Sequence, residues 1–170
     1  MRTVQRSAVA GSVLVGVATW MALTAASAHA YLVAVEPSDD GVVTTATDEL
    51  TLRFSMGVEA HFSTFEVHRL DVPSEGLPAV AHAPTERERQ RLNAQAAQLA
   101  TRVLSGERDA DAPGRIDIGP PTLGEGDTVV SVGLPEGLPN GVYVVVWEVL
   151  AFDAHWTSGH QLLFVAMPDD

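Results

Sequence analysis

Six short runs of alternating apolar and polar residues constrain this chain more than any other feature. They are YLVAVE (31–36), ELTLRF (49–54), FSTFEVHR (62–69), TVVSVG (128–133), GVYVVVWEVL (141–150) and HQLLFVA (160–166), bounded by Gly, Pro, Asp and Ser. Successive side chains of a strand leave opposite faces, so alternation at period two marks strands with one face against a core. A further short strand is expected at 42–45. The fifth run differs from the others. Tyr143, Val145, Trp147 and Val149 share one face, Val144, Val146 and Leu150 the other, and Glu148 alone breaks the second. A strand apolar on both faces belongs at the centre of a sheet. Short strands at this spacing predict an all-β, two-sheet antiparallel β-sandwich of immunoglobulin-like size.

Between Leu70 and Asp127 the alternation stops, over a stretch too long for an ordinary sandwich loop. Thr85 and Glu88, just after Pro84, fit a capping box, and Leu92, Leu99 and Val103 mark an apolar stripe ending near Gly106. The spacing predicts an amphipathic helix over 85–104 within an insertion of 70–127. Its stripe either meets a partner or covers an exposed face of the sandwich. The flanks SEGLPAVAHAP and SGERDADAPGRIDIGPP read as irregular.

Residues 1–28 have the form of a secretory signal. Arg2 and Arg6 precede an uncharged apolar run at 8–23, which is shorter than a membrane span, and small residues follow. Two overlapping Ala-x-Ala triplets, Ala26-Ser27-Ala28 and Ala28-His29-Ala30, offer two cleavage positions. Cleavage after Ala28 leaves residues 29–170 as a single domain with His29 at its amino terminus. The leader holds two of the ten arginines and none of the 22 acids, so that domain carries a net charge of −14 with histidine neutral. Such a charge repels nucleic acid and anionic membrane surfaces and attracts cations. With no cysteine in the chain, disulfides, a lipid-modified cysteine and thiolate metal sites are excluded. A metal would have to use His, carboxylate, Met or backbone ligands.

The stretch FDAHWTSGH, 152–160, follows the expected central strand. Asp153 and His155 are two apart, so in extended backbone they leave the same face and can share one ion. An amino-terminal His29 would add its amine and its ring Nδ1, two nitrogens from one residue. Three nitrogens and a carboxylate oxygen suit the tetragonal preference of Cu(II), with zinc and nickel as competitors. Amine and imidazole bind metal only when deprotonated, so such a site weakens as the pH falls.

The order HAYL, VEPSDDG, LTLRFSMGVE, GVYVVVWEVLAFDAHWTSG resembles the CopC family of periplasmic copper-binding proteins. Gly141, Tyr143, Val145, Trp147, Val149, Asp153, His155 and Gly159 stand at the places of that family's closing motif, while Ala154 and Trp156 replace its common Gly and Pro. The resemblance implies a Greek-key sandwich of about seven strands in the periplasm. It would hold one Cu(II) through His29, Asp153 and His155, and hand copper to an inner-membrane copper transporter or store it, without catalysis. It also favours cleavage after Ala28. Two other readings compete: an oxidative copper enzyme using a histidine brace, and a sandwich without metal. Met56 and Met167 are too far apart in sequence to suggest a thioether site. His160, close to the motif, could either support the ligands from behind or stand in as a substitute ligand. His61, His68 and His82 read as turn, strand and insertion residues without a metal role.

Overall fold

The alternating runs become two stacked four-stranded sheets. A computed structural model describes residues 29–37, 42–43, 46–72, 84–106 and 114–166; the leader, His82 and Met167 lie outside them. The strands are β1 (Leu32–Glu36), β2 (Val42–Val43), β3 (Glu49–Phe54), β4 (Thr64–Arg69), β5 (Ile118–Leu123), β6 (Val129–Gly133), β7 (Gly141–Leu150) and β8 (Trp156–Val165). One sheet has the order β1-β3-β6-β5 and the other β2-β8-β7-β4. All pairings are antiparallel except the short parallel contact of β2 with β8. The expected sandwich is therefore present, with eight strands among the described residues.

Strand β7 is the spine of the second sheet, paired with β4 on one side and with all ten residues of β8 on the other. Its odd-numbered residues Tyr143, Val145, Trp147 and Val149 enter the core between the sheets, beside Leu50, Leu52, Phe54, Val67 and Val130. Val142, Val144 and Val146 form a second core with Leu162 and Phe164 on the outer face. Helix α1 (Glu86–Leu104) covers that face with Leu92, Ala96, Ala100 and Val103. This resolves the two readings of the helix stripe in favour of a cover, and it explains why β7 is apolar on both sides. The helix starts where the capping box places it: Thr85 Oγ1 accepts from the Glu88 amide at 3.3 Å, and Glu88 Oε2 accepts from the Thr85 amide at 2.8 Å.

Three features depart from the sequence reading. The segment read as irregular contains β5, IGPPTL, which pairs with β6 at the outside of its sheet. An outside strand tolerates Pro120 and Pro121 because half of its amides need no ladder partner. Strand β8 starts four residues before the expected run, at Trp156. Finally, Glu66 and His68 on β4 are buried. His68 Nε2 lies 2.9 Å from Glu66 Oε2, and Arg115 reaches Glu66 Oε1 at 3.4 Å and Asp117 Oδ2 at 2.8 Å. Asp117 Oδ1 in turn accepts from the Val67 amide at 2.8 Å. This network fastens the segment after the helix along the free side of β4. The Asp117 hydrogen bonds hold Arg115 more firmly charged than an isolated guanidinium.

The closing motif now has physical reasons. The Tyr143 hydroxyl donates to the Pro139 carbonyl at 2.7 Å, a tyrosine corner bracing the start of β7. Gly159 pairs directly with Trp147, and a Cβ at Gly159 would lie 2.5 Å from the indole ring. The buried tryptophan therefore demands a glycine opposite it.

Candidate metal centre

At one end of the sandwich β7 turns into β8, and β1 begins beside that turn. The turn is held by its own backbone. The Ala151 amide donates to the His155 carbonyl at 2.9 Å, and the Ala154 amide donates to the Ala151 carbonyl at 2.9 Å. Asp153 Oδ1 accepts from the His155 amide at 3.1 Å, which orients the carboxylate within the turn. Ala154 has φ of 64°, in the left-handed region that glycine enters at least cost. The family's common Gly at this position has a backbone reason, and this chain accepts the strain of an alanine. The Phe152 amide donates to the Gly57 carbonyl at 3.0 Å, tying the turn to the segment after β3.

The segment ahead of β1 is held from both sheets. The Tyr31 amide donates to Ser55 Oγ at 3.1 Å, and the Ser55 amide returns a bond to the Tyr31 carbonyl at 3.0 Å. From the other sheet, Thr157 Oγ1 donates to the Ala30 carbonyl at 2.7 Å. Ala30 itself is buried in the core between the sheets.

These constraints bring three side chains to one point. Potential ligand atoms of His29, Asp153 and His155 all lie within 4.8 Å of one another, the one such group among the described residues. The rings of His29 and His155 meet edge to face with centroids 5.0 Å apart. Asp153 Oδ2 is buried and makes no hydrogen bond among the described residues; it lies 3.2 Å from His155 Nδ1, an ion pair when that imidazole is protonated. An unsatisfied buried carboxylate oxygen is costly unless a cation completes it, and here it faces an imidazole nitrogen. The donor set of imidazole nitrogens and carboxylate therefore fits a borderline transition-metal dication. The Asp153 side chain is 24% exposed and that of His155 57%, so the cluster opens to solvent on one side. The two segments whose backbones bond to each other and to the end of β7, 55–63 and 124–128, add Glu59, Glu125 and Asp127 and hold no arginine, which favours cations at this end.

The other candidates lie elsewhere. His160 faces the helix, with Nε2 3.2 Å from Asn93 Oδ1, and burial holds its pKa below the ordinary value. It does not join the cluster. Met56 packs against the inner core, and His61 sits in an exposed turn against Phe62. Phe152 and Trp156 flank the turn and are both more than half exposed. Thr157 and Ser55 are the residues that sequence reasoning missed, because nothing local marks them as partners of the amino-terminal segment.

Fold and site together define a small two-sheet sandwich with a solvent-facing cluster of imidazole nitrogens and a carboxylate at one end. The chain belongs to the CopC domain family, whose model matches residues 32–106 and 94–165. Among solved structures it is similar to CopC from Methylosinus trichosporium OB3b, at 18% identity and a TM-score of 0.52, covering 84% of this chain and 98% of that one. It is also similar to PcoC, a methionine-rich copper resistance protein from Escherichia coli, at 18% identity and a TM-score of 0.49, covering 81% of this chain and 98% of that one. No curated protein matches the sequence significantly. The fold is that of the CopC β-sandwich. No helix among the described residues is long and apolar enough to cross a membrane.

Proposed function

We propose that this protein, exported and trimmed after Ala28, binds one Cu(II) through His29, Asp153 and His155 and acts as a periplasmic copper carrier or buffer. One observation carries the reading: the convergence of these three side chains around an unsatisfied, buried Asp153 oxygen. Membership of the CopC family supports copper as the cargo. The burial of Ala30 supports the cleavage position, because a cut after Ala30 would remove a core residue together with the carbonyl that Thr157 binds. Cleavage after Ala28 turns the His29 peptide nitrogen into an amine, so that residue supplies two nitrogens. With Asp153 adding a charged oxygen ligand, the set favours holding Cu(II) over the open coordination that oxygen chemistry needs. Copper would leave through the solvent-facing side, to an inner-membrane copper transporter on this reading.

The test is a Cu(II) titration of two proteins, one beginning at His29 and one carrying a single glycine ahead of it. The first is expected to bind one equivalent with a d–d absorption band, and the second to bind at least tenfold more weakly, the scale of losing part of a metal site's support. Equal affinity of the two would remove the amine from the site. Failure of the first to bind stoichiometrically would remove copper altogether.

A further inference from the structure

We infer that Thr157 is a positioning residue for the metal: its hydroxyl sets His29 against the Asp153–His155 turn before any ion arrives. The inference rests on the copper reading above. Its ground is connectivity. Segment 29–31 is tied directly to the β7–β8 hairpin, whose turn carries the other two ligands, by the hydrogen bond from Thr157 Oγ1 to the Ala30 carbonyl at 2.7 Å. The paired bonds of Ser55 with Tyr31 anchor the segment to the chain just after β3, which reaches the ligand turn only indirectly, through the Phe152–Gly57 hydrogen bond and the Val58–Ala151 bridge further along.

Thr157 is placed to make the direct link. It stands two residues after His155, and its acceptor stands one residue after His29, so one bond joins ligands 126 positions apart in the chain. Along β8, Leu163 and Val165 enter the core between the sheets whereas Leu162 and Phe164 lie under the helix. The alternation therefore points Thr157 inward, toward the segment that leads into β1. Its acceptor belongs to a residue that is 1% exposed, where water cannot easily replace a lost donor. Chain ends fray unless tied down, and this bond ties the terminus at the residue next to the ligand. It preorganises the chelate, and the removal of such outer supports typically costs 10–100-fold in metal affinity.

The experiment compares wild type, Thr157→Val and Thr157→Ser, all beginning at His29, by Cu(II) competition titration, and repeats the first two in chains beginning at Ala30. In the His29 chains, Thr157→Val is expected to bind about tenfold more weakly, and Thr157→Ser, which keeps the hydroxyl, to return close to wild type. In the chains lacking His29 the same Val substitution is expected to change residual binding less than about twofold, because there is no ligand left to position. A metal-free readout goes with it: NMR relaxation of the Ala30 amide should report greater mobility in Thr157→Val and wild-type order in Thr157→Ser. An equal loss with and without His29, unchanged affinity in Thr157→Val, or an Ala30 amide as ordered as in wild type would overturn the inference while leaving the copper reading intact. Failure of the wild-type His29 chain to bind copper would instead overturn both.

Discussion

On the proposed copper reading, replacing Asp153 by Asn separates what the cluster would do for a metal from what it does for the fold. Asp153 Oδ1 accepts from the His155 amide, and Oδ2 is buried 3.2 Å from His155 Nδ1, an ion pair when that imidazole is protonated. Asparagine keeps the first contact and removes the Oδ2 charge, giving up the ion pair with His155 that forms when the imidazole is protonated. A solvent-facing pair of this kind is worth about 0–1 kcal/mol, so without metal the variant should lose no more than about 1 kcal/mol relative to wild type. Metal binding should lose more. A dication and a carboxylate 4 Å apart attract by about 2 kcal/mol even at the dielectric constant of water, and by more in a half-buried site. Copper affinity should then fall by a factor of at least about 30, since about 1.4 kcal/mol is tenfold. Competition titration with Cu(II) and thermal melts of the metal-free proteins measure the two quantities. An Asp153→Asn protein that binds copper as tightly as wild type would refute the assignment of Asp153 as a ligand. One that loses more than about 1 kcal/mol of metal-free stability would refute the claim that Oδ2 is left unsatisfied for the metal's sake.

Three further changes probe the frame around the site. Ala154→Gly should relieve the left-handed backbone at φ 64° and stabilise the metal-free protein by up to about 1 kcal/mol, a rise of about 3 °C in Tm by calorimetry, net of glycine's greater unfolded freedom. Gly159→Ala should cost about 1–3 kcal/mol in denaturant melts, because its Cβ meets the buried Trp147 ring at 2.5 Å. His160→Gln should flatten the acid side of the stability profile. Burial lowers the His160 pKa from its ordinary 6.5, so the unfolded chain takes up a proton first and wild-type stability declines as the pH drops from about 6.5 to the folded-state value. Denaturant titrations between about pH 7 and pH 5 should find a smaller decline in the variant.

The strands with clear alternation were legible because each buries one face, and α1 was legible because its capping box is local. What escaped was non-local. Strand β5 carries Gly119, Pro120 and Pro121, a signature of irregular chain, and becomes a strand only because β6 offers it a ladder. Glu66 and His68 are buried by Arg115 and Asp117, about fifty positions later and inside a segment read as loop. For the site, residue types and the spacing of Asp153 and His155 could be read directly. The approach of His29 could be expected only through family resemblance, since it depends on Ser55 and Thr157, and a serine or threonine in a strand carries no mark of its partner.

Strand β7 links two jobs that can be separated. Its even-numbered valines Val142, Val144 and Val146 carry the helix cover, and its last residue, Leu150, leads into the ligand turn. The helix therefore bears on the ligands only through the β7–β8 ladder, whose ten paired residues and inner-face core do not depend on α1. Leu92 is wholly buried at the helix–sheet contact. Leu92→Ala should cost about 2–5 kcal/mol through lost burial and the cavity left behind, read as a lower denaturant midpoint. Copper affinity measured well below that midpoint should stay within about twofold of wild type, because sites without shared partners act nearly independently. If affinity instead falls in step with stability, the insertion is part of the metal site's support. The ligand turn would then owe its geometry to the helix as well as to the sandwich.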